Sequence, residues 1–140
     1  MAEVNPYLTF LDNCEEAFNF YKSVFNREFL TLMHFGDNPA EYQPPANESH
    51  KVMHVALPIG KNTILMGSDT PNGTGIVTVG NNFSVAIQAE SEEEASHVFN
   101  GLSAGGQITM PLGKTFWAES FGMFTDKFGI NWIVNFAPNT

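Results

Sequence analysis

Apolar and polar positions recur along this chain in two alternating rhythms, one helical and one extended. In CEEAFNFYKSVF, Ala17, Phe20, Tyr21 and Val24 fall at i, i+3, i+4 and i+7, which predicts an amphipathic helix buried along that stripe. Asp12 and Asn13 precede it as cap candidates, each followed three residues later by a glutamate. SEEEASHVFNGLSAGG repeats the design: Ser91 and Glu94 form a capping-box pair, and Ala95, Val98, Phe99 and Leu102 share the helical spacing. Gly105 and Gly106 then end the helix, and the early acids of both segments suit its positive end.

Period-2 segments surround both helices. NPYLTF precedes the first, and EFLTLMHF, HKVMHVALPI and TILMGS follow it. NFSVAIQA precedes the second, and QITMPL, TFWAESFGMFT and NWIVNF follow it. PIGKNT and TDKFGIN read as hairpin turns between the last two strands of each half. Each half is therefore strand–helix–strand–strand–strand. The repetition predicts an α+β chain of paired βαβββ modules, over 4–69 and 82–137, within one domain spanning 1–140. Residues 36–49 are proline-rich, polar and long for a connection, so they read as a mobile surface loop or as a lid or partner contact. Residues 70–82 join the halves and are expected to hold a short extended piece.

Composition narrows the partners. A chain of 140 residues supports one hydrophobic core. Six Lys plus Arg against fifteen Asp plus Glu give a net charge of -9, which disfavours nucleic acid and anionic membranes as partners. Arg27 is the only arginine, which argues against a pocket of arginine–phosphate forks. Cys14 is the only cysteine, so neither an intrachain disulfide nor a thiolate zinc cluster can form. It reads as a structural residue at a helix start, with a reactive thiol as the alternative. The opening MAEVNPYLTF has no basic region, and no stretch nears the roughly 20 apolar residues that cross a bilayer. A cytoplasmic protein is the expectation.

Three blocks carry a resemblance: NPYLTFLDNCEEAFNFYKSVF, VMHVALPIGKNTILMGSD and FWAESFGMFTDKFGINWIVNF. Together they resemble the PhnB-like branch of the vicinal oxygen chelate superfamily, which includes glyoxalases, extradiol dioxygenases and bleomycin-resistance proteins. The resemblance implies a curved mixed sheet around a cleft, the glyoxalase/bleomycin resistance/dihydroxybiphenyl dioxygenase fold, and a dimer. Members often carry the label 3-demethylubiquinone-9 3-methyltransferase. No strand here leads through a glycine-rich turn into a helix, so methyl transfer finds no support in the sequence. The superfamily's metal ligands are His and Glu on the first and last strands of each module. In DKFGINWI, Asp126 and Gly129 match the family's closing block, but Ile133 stands where its glutamate belongs. PYLTF, NFSVAI and TILM supply no His, Asp or Glu either, so neither a standard metal site nor a cofactor is expected.

Within that fold, alternation sorts the strand residues between helix and cleft. Phe83, Val85 and Ile87 read as core, with Ser84, Ala86 and Gln88 on the cleft side. Met53, Val55 and Leu57 oppose His54 and Ala56, which makes His54 the best pocket histidine. It is a ligand contact, a metal ligand or a hydrogen-bonded core histidine. Glu119, amid apolar neighbours in FWAESFGMFT, is a candidate acid or base with His54, or a rim carboxylate. Trp117 and Trp132 are candidate pocket walls or core, and Tyr7, Thr9 and Asn135 are candidate neutral hydrogen-bonding groups. His34, His50 and His97 share no spacing, and Asp69 and Asp126 read as turn residues. The first reading is a non-metal small-molecule-binding homodimer. The second is a metal-assisted lyase, isomerase or oxygenase with a displaced site near His54 and Glu119.

Overall fold

The computed structural model describes residues 1–71 and 76–138. It divides into two compact units, Met1–Thr78 and Val79–Thr140. The first unit runs β1 (Tyr7–Phe10), α1 (Cys14–Phe25), β2 (Thr31–His34), β3 (Val52–Ile59) and β4 (Thr63–Asp69). The second runs β5 (Val85–Gln88), α2 (Glu92–Ser103), β6 (Gln107–Gly113), β7 (Ser120–Thr125) and β8 (Asn131–Phe136). Their four-stranded sheets have the same plan, β1-β4-β3-β2 and β5-β8-β7-β6. In each, the first strand lies parallel to the last and the remaining neighbours are antiparallel. The α+β fold of two βαβββ modules predicted by the repeat is the fold observed.

Each sheet buries one face under its own helix. In the first unit Leu8, Phe10, Val55, Leu57 and Leu65 meet Ala17, Phe18, Tyr21 and Val24, all buried. The helix comes close because Gly67 has no side chain: a Cβ there would lie 2.6 Å from Cε1 of Phe18. In the second unit Gly122 makes room for Phe99 in the same way, with a Cβ contact of 2.5 Å. Phe99 then packs edge-on against Phe124, ring centroids 5.1 Å apart.

The two helix starts differ. Ser91 accepts the Glu94 N–H at 3.0 Å, while the Glu94 carboxylate accepts the N–H of Glu90, one residue before the cap. Asn13 holds the cap position of α1, yet it does not cap the helix through its side chain. Asp69 does so from the end of β4: Oδ1 accepts the Cys14 N–H and Oδ2 the Val52 N–H, both at 2.9 Å. Asp69 is thus a buried tie between helix and sheet, a correction to its reading as a turn residue. At the other end Asn26 adopts φ 54 and donates its N–H to the Lys22 carbonyl, closing α1 in a left-handed cap that asparagine tolerates.

The helix phase also needs correction. The buried stripe of α1 is Cys14, Ala17, Phe18, Tyr21 and Val24, whereas Phe20 is only half-buried. Phe83, expected in the core, lies before β5 and is exposed. Residues 36–49, expected as an irregular loop, fall in a segment with three 3-10 turns: Phe35–Asp37, Ala40–Tyr42 and Ala46–Glu48. Backbone bonds Phe35 N–H to Lys51 O and Gly36 N–H to Ser49 O fasten the base of this segment. Inside it, the buried Glu48 carboxylate meets Lys51 Nζ at 2.9 Å, and that ammonium also donates to the Thr70 carbonyl. Of the joining stretch expected to be partly extended, residues 72–75 lie outside the described residues, and 76–80 form no strand.

Candidate functional site

Side chains on the sheet faces turned away from the helices are where the sequence placed a site. In the first unit, strand register puts Tyr7 and Thr9 of β1, Met66 and Ser68 of β4, His54 and Ala56 of β3, and Met33 of β2 on that face. Tyr7 and His54 are brought together. Their rings are stacked at 26° with centroids 5.9 Å apart, and the phenol oxygen lies 3.4 Å from His54 Nδ1. Thr9 is exposed on the same face.

In the second unit the corresponding face carries Ala86 and Gln88 of β5, Ile133 and Asn135 of β8, Phe121 and Met123 of β7, and Met110 of β6. Gln88 and Asn135 are direct partners across the parallel pair, and Asn135 Nδ2 donates to Gln88 Oε1 at 2.7 Å. The Oδ1 of Asn135 is buried and has no hydrogen-bond partner among the described residues. Ile133, in the position of the family's glutamate, pairs with Ala86 and Met123, so its surroundings are apolar as well.

Several sequence assignments change here. Trp132, a candidate wall, is 1% exposed; it lies under α2 and donates its indole N–H to Asp126 Oδ2 at 2.8 Å. Even register on β8 turns Trp132 and Val134 inward and Ile133 and Asn135 outward. Asp126 does serve its turn, accepting the N–H groups of Phe128 and Ile130 through Oδ1, but it also holds this indole. Trp117 and Glu119 precede β7, which begins at Ser120, so strand alternation does not govern them. They lie on a bend where Thr115 Oγ1 accepts the Ala118 N–H. Glu119 is exposed, with Lys114 Nζ 3.9 Å away, and is not the desolvated carboxylate its neighbours implied. Ser84 is half-buried and also lies just before its strand. His54 and Glu119 belong to different units.

Sequence reasoning missed two features. Phe116, Trp117 and Phe121 form a ladder of edge-on rings, with centroids 4.7 Å and 5.2 Å apart. Lys114, Thr115, Phe116, Trp117, Ala118, Glu119, Ala137 and Pro138 line a small surface pocket beside it. The second is His34, set aside for lack of spacing. Its Nε2 lies 2.6 Å from Glu15 Oε1, and its ring accepts the Asp37 N–H in a reciprocal cap. This joins the end of β2 to the first turn of α1, a contact between residues far apart in sequence. Among the described residues no group of three or more His, Cys, Asp or Glu side chains is arranged to hold a metal ion. Nor, among them, is any helix long and apolar enough to cross a membrane.

Topology and register are those of the glyoxalase/bleomycin-resistance fold, and comparison with known proteins places the chain within it. The chain belongs to the family described as 3-demethylubiquinone-9 3-methyltransferase, whose model matches residues 2–135, in the PhnB-like branch of the vicinal oxygen chelate superfamily. It is similar to protein PA1353 from Pseudomonas aeruginosa, with 39% identity, 98% of both chains covered and a TM-score of 0.86. A putative 3-demethylubiquinone-9 3-methyltransferase, PhnB protein, from Bacillus cereus is 30% identical over 97% of this chain and 100% of its own, TM-score 0.76. Protein YjdN of Escherichia coli strain K12 is 31% identical, with 94% of this chain and 93% of that protein covered. At the level of the family, the role is small-molecule binding.

Proposed function

We propose that this protein binds an uncharged small molecule on the sheet faces turned away from its helices, without a standard metal site. One observation carries the reading. The chain has six Lys plus Arg and fifteen Asp plus Glu, yet register puts none of them on those two faces. A phosphate, phosphonate or carboxylate ligand needs cations or free N–H groups, and both helix starts already have acceptors: Asp69 on α1, Ser91 on α2. Met33, Met66, Met110 and Met123 on these faces are flexible and polarizable, suited to an apolar ligand of irregular shape.

The family's methyltransferase label draws no support from the chain. Leu11–Asn13 and Ala89–Ser91, the strand-to-helix junctions of the modules, contain no glycine with which to approach a nucleotide cofactor. The proposed state is a homodimer whose partner borders the binding face, since apolar side chains around β6 and Phe116 are exposed. Native mass spectrometry of protein purified without added ligand tests the reading. A co-purified mass of a neutral organic molecule on a two-chain species is the expected result. A bound metal equivalent that survives dialysis and is lost in His54→Ala would overturn it in favour of metal-assisted chemistry.

A further inference from the structure

We propose that the bend between β6 and β7 binds a free α-amino acid with an aromatic side chain. Lys114 would meet its carboxylate, Glu119 its ammonium and Trp117 its ring. The site lies off the strands and does not rest on the sheet-face reading above. Lys114, Trp117 and Glu119 line one small pocket together with the buried Ala118 and Ala137, whose short side chains leave the space open. A volume of about 190 Å³ is below the roughly 300–1,000 Å³ of drug-sized pockets, so the occupant is a single residue and not a peptide.

The bend is built before any ligand arrives. β6 ends at Gly113 and β7 begins at Ser120, and Thr115 pins the chain between them. Its N–H donates to the Ala118 carbonyl at 3.0 Å, and its Oγ1 accepts the N–H groups of Trp117 and Ala118 at 3.3 and 3.0 Å. The Glu119 N–H donates to the Phe136 carbonyl at 2.9 Å, which fastens the far end to β8. Little backbone order remains to be gained on binding. Trp117 is braced edge-on by Phe116 and Phe121 yet stays 49% exposed, so a ligand ring can pack on it.

The charges supply the selectivity. Lys114 Nζ and Glu119 Oε2 stand 3.9 Å apart, within electrostatic reach but beyond hydrogen-bonding distance. The ammonium has three donors and the carboxylate two oxygens, so each keeps capacity for a ligand. An α-amino acid carries its own opposite charges on one carbon and can lay each against its complement. A simple anion or cation would satisfy one of the pair and face the like charge of the other. The pocket therefore favours the zwitterion over either singly charged analogue.

Phenylalanine, phenethylamine and 3-phenylpropionate are the probes: one ring, with both charges, the ammonium alone or the carboxylate alone. The two indole N–H resonances report separately, because Trp117 is half-exposed and Trp132 is in the core. Titration at neutral pH and low salt should shift the Trp117 resonance and leave that of Trp132 in place. Phenylalanine should bind about fivefold more tightly than either analogue, the scale of one partly exposed charge pair. Lys114→Met should erase its advantage over phenethylamine, and Glu119→Gln its advantage over 3-phenylpropionate. Both side chains are exposed, so the variants should fold as the wild type does. Equal binding of the three probes, an advantage that survives both substitutions, or no shift at Trp117 with any probe would overturn the site. None of these outcomes bears on a ligand of the sheet faces.

Discussion

Asp69 Oδ1 accepts the backbone N–H of Cys14 at 2.9 Å across 55 residues of sequence, so the last residue of β4 caps the helix that follows β1. Its other oxygen takes the Val52 N–H, which makes one buried carboxylate the junction of helix, first hairpin strand and last strand. Each bond to a charged acceptor contributes about 1.5–3 kcal/mol. Asp69→Ala should therefore destabilise the protein by roughly 3 kcal/mol or more, leaving two buried N–H groups unpaired. Asp69→Asn keeps one acceptor but turns an NH₂ toward a backbone donor, so it should fall between. Denaturant melts measure both. A loss below about 0.5 kcal/mol for the alanine variant would mean that water replaces the carboxylate.

Phe18 and Phe20 make a second test. Phe18 is wholly buried, fitted over Gly67 and edge-on to both Phe10 and Tyr21 at 6.2 Å and 5.4 Å. Phe18→Ala should cost about 3–5 kcal/mol, and Phe20→Ala distinctly less because that ring is only half-buried. Gly67→Ala should also destabilise, since its Cβ would press on the Phe18 ring and the Leu8 carbonyl. Thermal melts that rank Phe20→Ala above Phe18→Ala would contradict this phase.

These residues show why the fold was more legible than the site. The order strand–helix–strand–strand–strand follows from periodicities written locally, and so does the buried stripe of α2. In α1 both Phe18 and Phe20 are apolar, and only the register of Cys14 as the first buried residue turns the stripe toward Phe18. At about 100° per residue, that choice moves the helix face by more than a side chain's width. Trp117 and Glu119 were misplaced because TFWAESFGMFT reads as one strand, whereas the strand begins only at Ser120. Asp69–Cys14, Glu15–His34 and Tyr7–His54 join residues distant in sequence, and no local pattern encodes them. Tyr7, Thr9 and His54 fall on one face because alternation holds wherever a strand is regular.

Cys14 offers a pH test. Burial chiefly raises its thiol pKa far above the usual 9.0, and the negative charges of Asp69 and Glu15 add to the effect. The usual helix-terminus activation of a cysteine is thereby reversed. Folded protein at mildly alkaline pH should resist a thiol reagent such as Ellman's, and protein unfolded in urea should react at once. Because folding raises this pKa, the associated stability is intact below the unfolded thiol's 9.0 and declines as pH climbs above it. Cys14→Ala should flatten that alkaline decline relative to the wild type. Equal reactivity of folded and unfolded protein would show the thiol to be open to solvent.

Dimerisation is the remaining prediction, and its warrant is an uncharged edge. β6 ends its sheet, QITMPLG contains no charged residue, and Ile108 and Met110 on it are exposed. Pro111 and two register shifts interrupt the strand, which limits open-ended strand pairing without hiding its apolar side chains. Next to it Phe116 is 97% exposed, an unusual state for a phenylalanine of a small monomer. Closed two-fold pairing of this surface would cover both, and it keeps the acids at the rim despite a net charge of -9. Light scattering should then return twice the chain mass across a wide range of protein concentration, with little response to salt because no charged residue of β6 takes part. Phe116→Asp should shift the equilibrium toward monomer while leaving the thermal unfolding of each chain's core largely unchanged. A wild-type monomer at high concentration would refute the pairing.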